Sequence, residues 1–310
     1  MLRYYITEKD NLKEVNKYVP KCWICSIKPD ESDIEELRGL GIDEDFIYDA
    51  LDPEERARFE QDEEFIYIIT KIPFFDKNDL EVPFKTLPIG IAITPESIIT
   101  ISDHESEVLN DFLNKKVRDF STKKRFRFLL RIFDRGTVYY LRYLKDIRKR
   151  SNNIEAELHR STRNKELIAM LNLEKSLVYF TTSLRSNELM FEKLKRANIL
   201  TLYEEDEELF EDIIIENRQA IEMARIYNDI LSGMMDAFAS VISNNLNVVM
   251  KILTIVTLVL QIPMLTASIY GMNIALPLQN SPHAFYITMS ISAVVAVIFG
   301  FALFRIRWFK

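Results

Sequence analysis

Hydrophobic and polar positions change their period twice along this 310-residue chain. Through residue 122 the pattern is short-range. Apolar runs of strand length stand at 2–7, 23–27, 65–75, 84–93 and 97–102, separated by clusters of turn formers. The Thr94-Pro95-Glu96 break predicts a hairpin between the last two. Helical spacing is found at 32–40, with Ser32 as the expected cap, at 43–51, where Pro53 stops it, and at 105–114. From residue 123 glycine becomes rare and helical periodicity dominates, over 126–161, over 165–197, and in a third helix opening within 202–212. Continuous from 204 to 268, that third helix measures roughly 95 Å at ~1.5 Å per residue. Ile213, Ala220, Ala224, Tyr227, Leu231, Met234, Phe238 and Val241 recur along it at steps of seven, four and three. Such a rod cannot bury itself within a monomer, so a seam of this spacing predicts partner helices.

The second change comes in the last sixty residues. Two charge-free apolar runs, 252–270 and 284–304, each have the roughly 20 residues needed to cross a ~30 Å hydrocarbon core as a helix. A short uncharged tip, 271–283, joins them and holds Gly271, Pro277 and Pro282. Lys251 precedes the first run, and Arg305, Arg307 and Lys310 follow the second, whereas the tip has no Lys or Arg. The positive-inside rule therefore places both ends in the cytoplasm and the tip outside. Residues 1–5 lead straight into charged sequence with no leader pattern, so the C-terminal spans are expected to direct insertion.

A polar stripe runs down the third helix into the first span: Asp236, Ser240, Ser243, Asn247, then Met250 or Thr254, Thr257 and Gln261. Polar groups facing lipid are costly, so this face is expected to meet a water-filled path or another helix. The run ends in Tyr270-Gly271-Met272-Asn273. That quartet, closing the penultimate span after a long helix and an acidic N-terminal region, resembles the CorA-type divalent metal ion transporters. The resemblance covers the whole plan and is sharpest over 213–273.

The resemblance implies a homopentameric channel for Mg²⁺, passing Co²⁺ and Ni²⁺ as well. It assigns Gly271, Met272 and Asn273 to the outer selectivity filter, with Asn273 as its ring. Successive rings below would be Met264, Gln261, Leu253, Met250, Asn247 and Asp236, with Thr257 on the same polar face. Met250 and Leu253 would be hydrophobic constrictions that gate by excluding water. The stripe itself prefers Thr254 at the level where the resemblance puts Leu253. Two spans cannot enclose a channel, which independently requires an oligomer. Neutral amides suit Mg²⁺, which sheds its octahedral water shell reluctantly and is best held through that shell. Pro263 frees the Val259 carbonyl from its helical partner and marks a site for a kink.

Regulation is expected in the cytoplasm. Seven of the nine residues 204–212 are acidic, at the start of the long helix, where they suit its N-terminal dipole. Asp212 aligns with the family's carboxylate for an inhibitory Mg²⁺ between subunits. Asp76, Asp79 and Glu81 are candidates for its partner on the next chain. The loop 274–283 lacks the acidic residues that many relatives carry there.

Composition narrows the rest. A net charge of −7 argues against nucleic acid as a partner. Cys22-Trp23-Ile24-Cys25 lies in an expected strand, where residues three apart face opposite sides, so the pair reads as structural. No P-loop, nucleophile elbow or His/Cys cluster is evident, so neither an enzyme nor an organic cofactor is expected. The expected architecture is an α/β cytoplasmic domain (1–122), long stalk helices (123–250) and a C-terminal two-helix transmembrane hairpin (251–310) in the inner membrane, in contact with lipid. The rival readings are a route for zinc or another divalent ion, influx or efflux, on the same scaffold, and a non-conducting membrane-anchored sensor.

Overall fold

The computed structural model describes residues 2–8, 11–62, 64–79, 81–158, 164–200, 202–274, 276–278 and 281–305. The chain forms two compact units, Met1–Met235 and Asp236–Lys310.

In the first unit seven strands make one sheet: β1 (Leu2–Glu8), β2 (Asn11–Val15), β3 (Trp23–Ile27), β4 (Arg58–Asp62), β5 (Phe65–Phe75), β6 (Phe84–Ile93) and β7 (Ile98–Ser102). Their order is β2-β1-β3-β7-β6-β5-β4, with β3 and β7 parallel and every other pair antiparallel. β3, β6 and β7 are buried almost throughout, as their continuous apolar runs require. β2 and β4 are the outermost strands, and their mixed polar sequences, NLKEV and RFEQD, give no strand signal beforehand.

Helices α1 (Glu31–Gly39) and α2 (Glu44–Asp49) close one core, in which Ile24, Leu37, Phe46, Ile47, Tyr67, Ile69, Ile99 and Ile101 are packed. Each fully buried side chain of this kind contributes about 1.5–3 kcal/mol, against about 0.2–1 for an exposed ion pair, so apolar packing decides the fold here. α2 lies so near β6 that a Cβ on Gly90 would stand 2.4 Å from the Ala50 Cβ; only glycine fits. The cap of α1 is Asp30, not the expected Ser32. Asp30 accepts from the Asp33 N–H while Asp33 accepts from the Asp30 N–H, a reciprocal box that Ser32, one residue inside the helix, cannot form.

Trp23 packs edge-on against Phe112 of α3 (Glu107–Leu113) and Phe128 of α4 (Arg125–Leu158), and its indole N–H donates to Thr100 Oγ1 at 2.9 Å. Both cysteines are free and buried. Cys22 belongs to the α1–α2 core, whereas Cys25 alternates with Ile24 onto the opposite side, and burial pushes its thiol up to about 11. This agrees with the structural reading of the pair.

α5 (Asn164–Ala197) and α4 complete the unit. β4 stops pairing at Ile69, and at Lys71 the Asn187 side chain takes the place of a further strand. Its Oδ1 accepts from the Lys71 N–H (2.9 Å) and its Nδ2–H donates to the Lys71 carbonyl (2.7 Å). The 34 residues of α4 end at Leu158, so residues 159–161 of the expected helix lie outside the described residues.

α6 (Glu204–Tyr270) is a single helix of 67 residues. The partner of its lower seam is the chain's own α5, which corrects the expectation that the rod finds no cover within a monomer. Ile213, Ala220, Ala224 and Leu231 are buried, Asn217 Nδ2–H donates to the Leu184 carbonyl (3.0 Å), and Ser232 donates to Glu174 (3.0 Å). Tyr227 of the seam lies beneath the Arg148 guanidinium of α4. From Ala239 through Met250 every residue is exposed.

The second unit contains α6 from Asp236 onwards and α7 (Ala284–Arg305). Thr266 Oγ1 donates to Ser292 Oγ at 3.2 Å, and Val259 lies against Gly300. The rising number on α6 and the falling number on α7 make an antiparallel hairpin. Both helices have the length and apolarity of membrane spans, with mean hydropathy 2.2 over their most apolar windows.

Candidate ion pathway and cytoplasmic carboxylates

α7 covers one side of α6. Ile255, Leu258, Val259, Ile262 and Thr266 are half-buried, at the three- and four-residue spacing of a helix face. On α7 the side turned towards it is made of small residues one turn apart, Ser292 (3% exposed), Ala296 (5%) and Gly300, which let two helices approach closely. The sequence reading passed over this stripe, although its four-residue spacing is legible.

Met250, Leu253, Thr257, Gln261 and Met264 lie roughly 115–175° around α6 from the α7 contact, at ~100° per residue. All five are exposed, Met264 at 73%, and so are Asp236 and Asn247 further down the helix. These five expected pore-facing residues therefore share the flank that α7 leaves open, whereas Asn247 and Asp236, at roughly 75° and 95° by the same count, lie towards its edge. Thr254 is exposed beside Leu253, so the single chain presents both at that level. The Thr254 hydroxyl donates to the Met250 carbonyl and the Thr257 hydroxyl to the Leu253 carbonyl, both at 2.8 Å. With their protons committed to the helix, these oxygens present lone pairs outward.

The helix is continuous through Pro263 and ends at Tyr270. Gly271 N–H bonds to the Ala267 carbonyl (3.0 Å) and Met272 N–H to the Ile269 carbonyl (3.1 Å), so the Gly-Met-Asn tip begins as the unwinding last turn. Met272 and Asn273 are exposed. The Tyr270 hydroxyl donates to the Pro277 carbonyl (3.1 Å), tying the loop back to the helix end. Of the loop, residues 275, 279 and 280 lie outside the described residues, as do Arg307 and Lys310 of the expected basic tail.

In the first unit the acidic start of α6 is more than a helix-dipole feature. Arg127 of α4 binds Asp206 (2.5 Å) and Glu205 (2.7 Å), and Lys195 of α5 binds Glu211 (2.6 Å). Asp212 is exposed. One turn on, burial raises the Glu216 carboxyl above its ordinary value, helped by the negative charges of Asp134 and Asp212; burial raises Asp134 as well, against the pull of Arg131 and Arg135.

Asp76, Asp79 and Glu81 occupy the β5–β6 connection. Asp79 bonds Lys85 (2.5 Å) and accepts from the Glu81 and Val82 N–H groups, which hold its carboxyl down at about 2. Asp76 stands 3.8 Å from the same ammonium, and Glu81 is exposed. Among the described residues no three His, Cys, Asp or Glu side chains converge to hold a metal. Asp212, Asp76, Asp79 and Glu81 are not part of such a group in the single chain.

A sheet domain with long helices, followed by a C-terminal pair of membrane-length helices with a polar flank and a Tyr-Gly-Met-Asn tip, defines a class of two-span membrane proteins. The chain belongs to the CorA-like Mg²⁺ transporter protein family, whose model matches residues 21–307. The cobalt/magnesium transport protein CorA of Methanocaldococcus jannaschii is 32% identical over 292 residues, 92% of this chain and 90% of that protein. The protein of the same name from Thermotoga maritima is 23% identical over 274 residues, 87% of this chain and 77% of its own length. The complete structure of the M. jannaschii CorA magnesium transporter superposes with a TM-score of 0.82 at 28% identity, covering 99% of this chain and 98% of that one. The expected family and fold class are thereby established, and the family's members are membrane transporters rather than enzymes.

Proposed function

We propose that this protein is a homopentameric channel that carries Mg²⁺ through a pore lined by α6, with Co²⁺ and Ni²⁺ as further substrates. Five α6 helices, one per copy, turn the flank opposite α7 inward. Asn273 with Gly271 and Met272 forms the outer filter, and Met264, Gln261, Thr257, Leu253, Met250, Asn247 and Asp236 follow as rings. The observation that carries this reading is the position of the polar flank: it is the side of a membrane helix that α7 does not cover, and facing it to lipid would be costly.

The chemistry is that of a hydrated ion. The water shell of Mg²⁺ presents hydrogens outward, and amide oxygens of Asn273, Gln261 and Asn247 accept from them without stripping the shell. The outward lone pairs of Thr257 and Thr254 do the same. Neutral oxygens bind weakly enough to release the ion onward. Met250 and Leu253 exclude water when the helices close. The membrane potential supplies ~2.3 kcal/mol per charge per 100 mV, so a divalent ion enters without ATP.

Gating follows cytoplasmic Mg²⁺. Asp212 contributes one carboxylate, and a neighbouring copy completes the site from Asp76, Asp79 or Glu81. Of these Asp79 must first release Lys85. Both termini are cytoplasmic, supported by Lys251, within α6 just before its apolar run, and Arg305, at the end of α7. The proposed functional division is a sheet domain to residue 122, a stalk of long helices to 250 and a hairpin from 251. Purified protein in liposomes containing a Mg²⁺ indicator tests the reading. Mg²⁺ influx that competes with Co²⁺ is expected, and a signal no greater than that of empty liposomes overturns it.

A further inference from the structure

We propose that Gly300 is a positioning residue for the ion path: it seats α7 against the proline-weakened turn of α6 and so holds the segment bearing Met264 and the Gly-Met-Asn tip. The proposal rests on the transport reading above.

Pro263 has no N–H, so the Val259 carbonyl loses its helical donor and the ring crowds it. In hydrocarbon such a turn is weak, because no water can satisfy the freed carbonyl. α7 meets α6 on both sides of that turn. Four residues before Pro263, a Cβ added at Gly300 would stand 2.9 Å from Val259 Cγ2, closer than real Cβ contacts come. Three residues after it, Thr266 Oγ1 donates to Ser292 Oγ at 3.2 Å and lies 3.0 Å from the Ile262 carbonyl. Ser292 and Ala296 are buried in the same face. The two contacts bracket the weak turn, and the helix passes through Pro263 unbroken. The Gly300 contact is steric: a side chain there requires the β-branched Val259 or α7 itself to shift. A splint displaced at one end leaves the segment of α6 beyond Pro263, residues 264–270, free to bend, which misaligns the rings above Pro263 and leaves those below it in place.

The test uses the full-length protein in liposomes, with Mg²⁺ flux and amide hydrogen exchange across 259–270 as separate readouts. Gly300→Val is expected to speed exchange in that segment and to lower flux by about tenfold. Adding Val259→Ala removes the methyls that the new side chain meets, and is expected to return both readouts to within about threefold of the parent. Gly300→Ala, which adds only the Cβ, carries the test at smaller amplitude if Gly300→Val does not assemble. Parent-like exchange in the glycine variants overturns the proposal, and so does a loss of flux that Val259→Ala fails to relieve. A parent that passes no Mg²⁺ overturns the transport reading instead, and the exchange pattern alone then decides the splint.

Discussion

The hydroxyl of Tyr270 donates to the carbonyl of Pro277 at 3.1 Å, so the last residue of α6 ties down the loop that begins with Gly-Met-Asn. This bond restrains Asn273 on both sides, by the helix below and by the loop fold above. Tyr270→Phe removes the donor and keeps the ring. A neutral hydrogen bond contributes about 0.5–1.5 kcal/mol, so Mg²⁺ flux in liposomes should fall by about two- to tenfold with unchanged assembly. Parent-like flux would make the bond incidental to the filter.

The gate is expected at Met250 and Leu253, on the open flank of α6. Met250→Ser or Leu253→Ser places a hydroxyl where the closed pore expels water, so basal conductance at high internal Mg²⁺ should rise. Single-channel or flux records at saturating Mg²⁺ check this. An unchanged leak in both variants puts the constriction elsewhere.

Much of the fold was legible because long apolar runs set it. β5 and β6 run over 65–75 and 84–93 as the sequence pattern predicts, and the hairpin break at Thr94-Pro95-Glu96 separates β6 from β7. β2 and β4 were not legible, since an outer strand with exposed polar side chains alternates too weakly to stand out. The seam from Ile213 to Leu231 was visible, but periodicity cannot say whose helix fills it, and the chain's own α5 does. The open flank of α6 was legible as a polar stripe. Its relation to α7 was not, because it depends on the depth at which Gly300 and Val259 meet. The ties of Arg127 to Glu205 and Asp206 join residues far apart in sequence, and no local pattern announces them.

The raised carboxyl of Glu216 has a stability consequence. Its folded pKa lies above its ordinary value of 4.5, so the folded state binds the proton more tightly and stability falls as pH rises from the unfolded towards the folded pKa. Glu216→Gln removes the ionisation. Its melting temperature should exceed that of the parent at neutral pH, and the difference should shrink as pH falls below about 4.5. Thermal denaturation across that range measures it, and a pH-independent difference would remove the titration from the account.

The proposed feedback site is Asp212. A carboxylate completed only by a neighbouring copy binds Mg²⁺ in the closed arrangement and shifts the population towards it. In Asp212→Ala, millimolar-range Mg²⁺ should no longer protect α6 from proteolysis, and internal Mg²⁺ should inhibit flux less. Protection and inhibition like the parent's would leave Asp212 as a surface charge at the start of α6.

The central claim is that ions pass along the flank of α6 that ends in Asn273. Its most direct measurement is Mg²⁺ flux through liposomes holding equal amounts of parent or Asn273→Ala protein, with the oligomeric state of each sample checked by native mass. The account predicts clear influx for the parent and loss of influx for the variant at unchanged assembly, since alanine offers no acceptor to the hydrated ion. Near-parental influx through Asn273→Ala would contradict it.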